Sequence, residues 1–305
     1  MKVLVTGLSG FVGQNLTRYF STKKDLELVG LDIINIEDFE SYLWNEIDSL
    51  PEDINVIIHL AGKAHDLKNT PNEQEYIDVN YGLTKKIYDV FLKSKASKFI
   101  LMSSVKAVAD EVDGMLREDN LAAPKTPYGR SKLMAEEYIL SNKAEGKSSY
   151  ILRPCMIHGP GNKGNLSLLY QLISKQIPWP LGAFENQRSF LSIENLCFVI
   201  DEIINNKIEN GVYNLADDES ISTNELIQII SEGLGKKSSI WKVPKSLIYL
   251  LAKLGTTFHL PLNEERLQKL SESYVVSNEK IKKVIGKKLP IHAREGLLQT
   301  IKSFA

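Results

Sequence analysis

Val3-Leu4-Val5-Thr6-Gly7-Leu8-Ser9-Gly10-Phe11-Val12-Gly13 is an apolar run that ends in three evenly spaced glycines and passes directly into a helical pattern. The run predicts a buried strand over residues 2–5 and the pattern a helix over residues 11–20. Gly7 suits the tight turn between them, Gly10 lets the backbone approach a pyrophosphate, and Gly13 lets helix and strand pack closely. The helix N-terminus adds a setting that favours an anion. The spacing G-x-x-G-x-x-G departs from the commoner G-x-G-x-x-G, and a plain glycine-rich turn in an α/β protein is the competing reading. Asp32 weighs against that plain reading. It stands nineteen residues past Gly13, at the end of the second predicted strand. A carboxylate there accepts hydrogen bonds from adenosine ribose hydroxyls and repels a 2′-phosphate, so NAD rather than NADP is expected. No arginine or lysine follows within the next several residues to host that phosphate, although a solvated loop aspartate would look the same.

Outward from this stretch, further strands are expected over residues 26–31, 55–60, 98–103 and 149–153, with helices over 73–94 and 127–141. The alternation predicts βαβ units and a parallel sheet, an α/β fold of the Rossmann-type doubly wound kind. Residues 32–50 are too few for two full units, so one strand there should be very short or missing. After Arg153-Pro154 the texture turns to segments punctuated by glycine and proline, such as Gly159-Pro160-Gly161 and Pro178-Trp179-Pro180. The expected division is a dinucleotide-binding domain of residues 1–163 plus about 187–215. A smaller mixed α/β substrate-binding domain would take about 164–186 plus 216–305. No linker or repeat separates the two, so a shared cleft at the carboxyl ends of the strands should hold the ligands.

The chain has 305 residues, 43% of them hydrophobic, enough to bury a full core. Its 37 basic and 38 acidic side chains nearly cancel, so no overall field marks a nucleic-acid or membrane-surface partner. Cys155 and Cys197 lack the close spacing of a zinc or redox motif, and no metal site is expected. Met1-Lys2 leads straight into the first strand with no signal-peptide pattern, so work in the cytoplasm is expected. The apolar residues 246–252, bounded by Lys245 and Lys253, are far too few to span a bilayer.

Tyr128-Gly129-Arg130-Ser131-Lys132 sets a phenol and an ammonium four apart, on one helix face. A phenol is a poor base at neutral pH unless a neighbouring cation favours the phenolate. Ser103 and Ser104 end a predicted strand at the sheet's carboxyl edge and can supply a hydroxyl to the same reacting oxygen. Taken alone, a Tyr/Lys pair is as readily a surface feature. His59 reads as a structural strand-end residue, since no carboxylate or nucleophile stands at a fixed offset from it.

Together these residues resemble the extended short-chain dehydrogenase/reductase family, and within it the UDP-glucose 4-epimerase-like nucleotide-sugar enzymes. The resemblance also rests on His59-Leu60-Ala61-Gly62, Val79-Asn80 with Thr84, Leu152-Arg153-Pro154, Gly164-Asn165-Leu166, Arg188-Ser189-Phe190 and Val212-Tyr213-Asn214-Leu215. It implies that Gly7, Ser9, Gly10, Phe11, Val12, Gly13, Asp32, Ile33, Leu60, Ala61, Gly62, Asn80 and Pro154 line an NAD site. It further implies that Tyr128 and Lys132 hold the nicotinamide ribose, with Ser103 and Ser104 beside them. Asn165, Leu166 and Arg188 resemble positions that meet a nucleotide-sugar diphosphate, and a guanidinium and an amide suit that group chemically. A homodimer packed through the helices at 73–94 and 127–141 is implied as well, although the same apolar faces could simply cover the sheet.

The implied reaction is 4-epimerisation of a UDP-hexose or UDP-N-acetylhexosamine through a transient 4-keto sugar, for surface polysaccharide precursors. A 4,6-dehydratase would carry an Asp-Glu pair just after the serines, where this chain has Val105-Lys106. A 4-keto-6-deoxy sugar reductase would use the same Tyr128, Lys132 and Asp32. A non-catalytic dinucleotide sensor would be expected to lack the tyrosine or lysine. Two departures from the family pattern stand out: Asn35 replaces the usual adenine-contacting acid, and Ala107-Val108-Ala109 replaces Val-Tyr-Gly. Arg266 and Trp241 are candidate contacts to the uridine or sugar.

Overall fold

In the computed structural model the described residues are all but 24, 38, 64–71, 163, 259–261 and 305. The strands in chain order are β1 (Lys2–Thr6), β2 (Glu27–Asp32), β3 (Glu40–Leu43), β4 (Val56–His59), β5 (Lys98–Met102), β6 (Met115–Leu116), β7 (Ser148–Pro154), β8 (Met156–His158), β9 (Arg188–Ser192), β10 (Gly211–Leu215), β11 (Ser220–Ile221) and β12 (Val275–Val276), the last paired with β6. Seven of them form one parallel sheet in the order β3-β2-β1-β4-β5-β7-β10. Successive connections run outward in opposite directions from β1 and β4. The crevice between the carboxyl ends of these two strands is therefore the switch point at which such sheets bind ligands. Register brings Thr6 level with Leu31 and His59, so the glycine turn, Asp32 and Leu60 emerge side by side.

Side chains alternate across the strands and build two cores. Val3, Val5, Ile58, Ile100 and Leu152 face one side, where α1 (Phe11–Phe20) supplies Leu16 and Phe20. Leu4, Val29, Ile57, Phe99 and Ile151 face the other. There a long helix is α-helical over Glu73–Tyr76 (α2), π-helical over Ile77–Gly82, and α-helical again over Leu83–Lys93 (α3). From α3 come Ile87, Tyr88 and Phe91, and from α4 (Pro127–Ser141) come Ala135 and Ile139.

The short 32–50 stretch resolves in a specific way. β3 is present but only four residues long, and no crossover helix exists among the described residues between β2 and β3. Too few residues separate the two strands for a helix to fit. At the opposite margin of the sheet, side chains occupy the free backbone groups of β10. The Glu118 carboxylate accepts from the Asn214 N–H at 2.8 Å, and Lys280 donates to the Val212 carbonyl at 2.8 Å.

A third core lies beyond the sheet. It gathers Leu166 from α5 (Asn165–Ser174), Ile227 and Ile230 from α7 (Thr223–Gly233), Ile248 and Ala252 from α8 (Lys245–Thr257), and Leu297 and Ile301 from the helix Ala293–Lys302. Between this core and the sheet runs a small layer in the order β11-β9-β8, and the helix α6 (Ile193–Asn205) leads back to pack on the first core. Among the described residues no helix is long and apolar enough to cross a membrane.

Candidate active site

The crevice is built first by backbone demands. Gly7 has φ of 72°, and a Cβ there would stand 2.8 Å from the Ala61 backbone. A Cβ on Gly13 would come within 2.4 Å of the Leu8 carbonyl oxygen, so the helix can approach the turn only with glycine present. Asp32 is 3% exposed and ties the loop to β2. Its two carboxylate oxygens accept from the Ser9 N–H at 2.9 Å and the Ile33 N–H at 2.7 Å. A carboxylate offers about four acceptor positions, so room for a ribose diol remains. The Ile33 side chain is exposed, as is Asn35.

His59 carries no free function. The Thr84 hydroxyl donates to the Asn80 carbonyl at 2.6 Å, so it accepts from the imidazole Nε2 at 2.9 Å. The Nδ1 is then an acceptor for the Thr6 hydroxyl at 2.6 Å, which itself receives the Ala61 N–H at 3.1 Å. The chain of bonds requires a neutral ring, and burial agrees, holding the His59 pKa down to about 3. This network fixes the start of Leu60-Ala61-Gly62. Fully buried Asn80, in the π-helical segment, fixes its end by pairing with the Lys63 backbone at 2.8 and 3.2 Å. Such segments recur where a helix must aim a functional group.

Tyr128 and Lys132 sit on α4, whose first turn is set by Thr126 as N-cap and Pro127 behind it. The Asp110 carboxylate accepts from the Lys125 and Thr126 backbone N–H groups and so anchors the start of this helix. Lys132 is 6% exposed. Its ammonium donates to the Met102 carbonyl at 3.0 Å and lies 3.1 Å from where a Cβ on Gly62 would stand. Burial lowers its pKa to about 8, with Glu136 opposing the shift. The half-buried Tyr128 hydroxyl bonds with Ser104, and its ring meets Tyr76 edge-on at 6.0 Å. Burial raises the phenol above its ordinary value and outweighs the Ser104 bond that lowers it. The low-dielectric surroundings thus outweigh the lowering expected from the lysine.

The two serines part company. Ser104 meets Tyr128, whereas Ser103 donates to the Glu136 carboxylate behind the site. Ser103 is thus withdrawn from the reacting oxygen that the sequence had it serve. Glu136 is fully buried and is held by Arg153 through Nε at 3.0 Å and the terminal nitrogen at 2.5 Å. Sequence reasoning missed this pair, although Glu136 lies one helical turn past Lys132 and Arg153 one residue before the expected cofactor contact Pro154. Pro154 ends β7 beside Leu215.

The substrate-side residues are placed unevenly. The Asn165 side chain lies outside the described residues. Leu166 is buried in the third core, so its side chain packs rather than faces a ligand. Arg188 opens β9 half-buried and donates to the Lys269 carbonyl at 2.5 Å; burial lowers its pKa, and Glu272 opposes the shift. Lys106 feels the charges of both Arg188 and Glu272 and lies 4.2 Å over the ring of Tyr274, which packs in the first core. No spacing in the sequence pointed to Lys106, Glu272 or Tyr274 as neighbours. Trp241 and Arg266 are exposed. Among the described residues no group of three or more His, Cys, Asp or Glu side chains is placed to hold a metal ion.

The crevice therefore offers glycine-lined space at a helix N-terminus, a carboxylate at the end of β2, and a phenol and an ammonium at the ends of β4 and β5. That arrangement fits a bound dinucleotide. A family model described as "NAD dependent epimerase/dehydratase family" matches residues 3–216. The chain is 29% identical over 317 residues to a UDP-glucose 4-epimerase from Vibrio cholerae, covering 99% of this chain and 95% of that one. It is 28% identical over 302 residues to the N-acetyl-alpha-D-glucosaminyl-diphospho-ditrans,octacis-undecaprenol 4-epimerase of Escherichia coli O157:H7, covering 92% and 84%. Its fold matches a UDP-glucuronic acid 4-epimerase from Bacillus cereus, solved with UDP-glucuronic acid and NAD, with a TM-score of 0.76, 21% identity and full coverage of both chains.

Proposed function

The chain belongs to the NAD dependent epimerase/dehydratase family, and from that membership we propose that it inverts carbon 4 of a nucleotide-activated hexose, UDP-linked by preference, using held NAD. The observation that carries the reading is the Tyr128 hydroxyl bonded to Ser104, with Lys132 buried against Met102 and Gly62. The two relatives share by name a hexose diphosphate changed at carbon 4, and this common core is what we assign.

Tyr128 takes the proton of the sugar's 4-hydroxyl, while Ser104 holds the same oxygen in line. Lys132 places a cation near the ribose and the phenol, offsetting the burial that otherwise keeps the phenol protonated. NAD held in the crevice would supply the reversible hydride chemistry at carbon 4, so that the 4-keto sugar can be reduced again on its opposite face. Tyr128 then gives the proton back, so no co-substrate is consumed. Gly7, Gly10, Gly13, Asp32 and residues 60–62 hold the cofactor in this reading, and Arg188 with Asn165 takes the diphosphate. The sheet domain carries NAD and the third core carries the sugar nucleotide. The reading includes work in the cytoplasm and a homodimer formed through the long helix that ends in α3, together with α4.

Purified protein, denatured and assayed for released nucleotide, should yield near-stoichiometric NAD, and incubation with UDP-glucose or UDP-N-acetylglucosamine should give the 4-epimer. Empty protein that instead consumes added NADH or NADPH with a 4-keto-6-deoxy sugar would reassign it as a reductase. Within the epimerase reading, Asp32→Ala should weaken NAD retention by about tenfold to a hundredfold, since charge-assisted bonds to the ribose are each worth ~1.5–3 kcal/mol. Equilibrium dialysis should also show reduced discrimination against NADP.

The buried lysine has a measurable cost. Its folded pKa is lowered to about 8 from 10.5, so below pH 8 the folded state bears the full cost of a buried charge. Between the two values the unfolded chain binds more protons, and stability climbs with pH. Lys132→Met should therefore raise the melting temperature at pH 7 while abolishing turnover. The gain should shrink as pH moves from 8 towards 10.5 in parallel scans.

A further inference from the structure

Helix α8 is apolar where it faces solvent. Its buried stripe is narrow, made of Ile248, Ala252 and Gly255. Leu247, Leu251 and Leu254 form a second stripe at the same helical spacing, and Phe258 at the C-cap continues it with Leu250 alongside. With Trp241 and Tyr249, these side chains are each between 44% and 68% exposed. An exposed cluster of this size marks an interaction surface.

The charge around it is one-sided. From Gly233 to Asn263 the sequence carries five lysines and no aspartate, glutamate or arginine, in a chain whose overall net charge is −1. Lys237, Lys242, Lys245 and Lys253 are exposed, and none is in an ion pair among the described residues. On the helix, Lys245 and Lys253 flank Tyr249 on the side away from the leucine stripe. Whole-chain neutrality conceals this local excess.

We propose that α8 and the loop before it dock the protein on an anionic phospholipid surface, the leucines and Phe258 entering the acyl boundary and the lysines meeting the headgroups. A short amphipathic helix with a leucine stripe on one flank of its exposed surface and lysines on the other has the composition of a helix that lies in the interface plane. A second copy of this chain is a poorer occupant, since the lysines of two copies would be brought together without acids to meet them. None of these residues forms part of the crevice at β1 and β4, so the inference stands whether or not the epimerase reading does.

Sedimentation with vesicles is the test. The full-length protein should bind vesicles containing phosphatidylglycerol and not vesicles of phosphatidylcholine alone. Binding should fall at least about tenfold in about 0.5 M salt. Leu247→Ser/Leu251→Ser/Leu254→Ser and Lys242→Glu/Lys245→Glu should each lose it to a similar degree. Unchanged melting and unchanged turnover of a soluble sugar nucleotide show that the variants fold. Failure of the parent protein to bind, or binding indifferent to both variants, overturns the proposal. So does light scattering in which the triple serine variant converts a dimer to a monomer, which would assign the face to a second copy.

Discussion

Tyr128→Phe should leave the fold and the bound NAD intact and reduce turnover by about 10²–10⁴-fold, the range a positioned acid–base group contributes. The ring has its packing independently of its hydroxyl, against Tyr76 at 6.0 Å, so the phenyl group should keep its place. What the variant lacks is the atom that exchanges a proton with the substrate and bonds with Ser104. The check is a comparison of kcat on the sugar nucleotide with the amount of NAD released on denaturation. A fall in kcat at constant NAD content locates the loss in proton transfer. A variant with parental kcat would remove Tyr128 from the reaction and with it the proposed mechanism.

Arg153→Met should be the most destabilising single change in the sheet domain. The guanidinium is the chief partner of a carboxylate with no solvent exposure; Ser103 is neutral, and Lys132 acts on it only through space, its ammonium being bonded to the Met102 carbonyl. Removing one member of a buried pair leaves an uncompensated charge, at a cost of about 3–5 kcal/mol. Urea unfolding at pH 7 should show the midpoint moving down by a corresponding amount. The double variant Arg153→Met/Glu136→Leu should recover most of it, because an apolar pair of similar volume needs no charge balance. A single variant within about 1 kcal/mol of the parent would mean that the carboxylate finds compensation elsewhere.

Much of the sheet domain was legible because its signals are local. An apolar run, a glycine turn and a helical period occupy consecutive residues, so β1, α1 and the cofactor crevice could be placed from thirty residues of sequence. The same holds for Tyr128 and Lys132, which one helix brings together. The π-helical segment at Ile77–Gly82 was not legible, since the apolar pattern there differs little from that of an α-helix. Nor was the fate of Ser103, because strand alternation sends adjacent serines to opposite sides while the sequence shows only a pair. Arg188 was named from resemblance, but its neighbours Lys106, Glu272 and Tyr274 come from segments up to 168 residues apart, and no period links them. The lysine-bearing stretch from Gly233 to Asn263 shows a different limit. Summing charge over the whole chain erased a contrast that exists only within one stretch of thirty residues.

The margins of the main sheet bear on how copies of this chain can meet. At β10 the Asn214 N–H and the Val212 carbonyl, which another strand would need, are already engaged by Glu118 and Lys280. At β3 the outermost strand is only four residues long and begins with a glutamate. Neither margin offers a template long enough for strand addition, so the sheet is self-terminating. Growth by edge-to-edge stacking is closed off at β10 by side chains and by the helix Glu279–Ile285 packed beside it. Association in solution is left to surfaces other than strand edges.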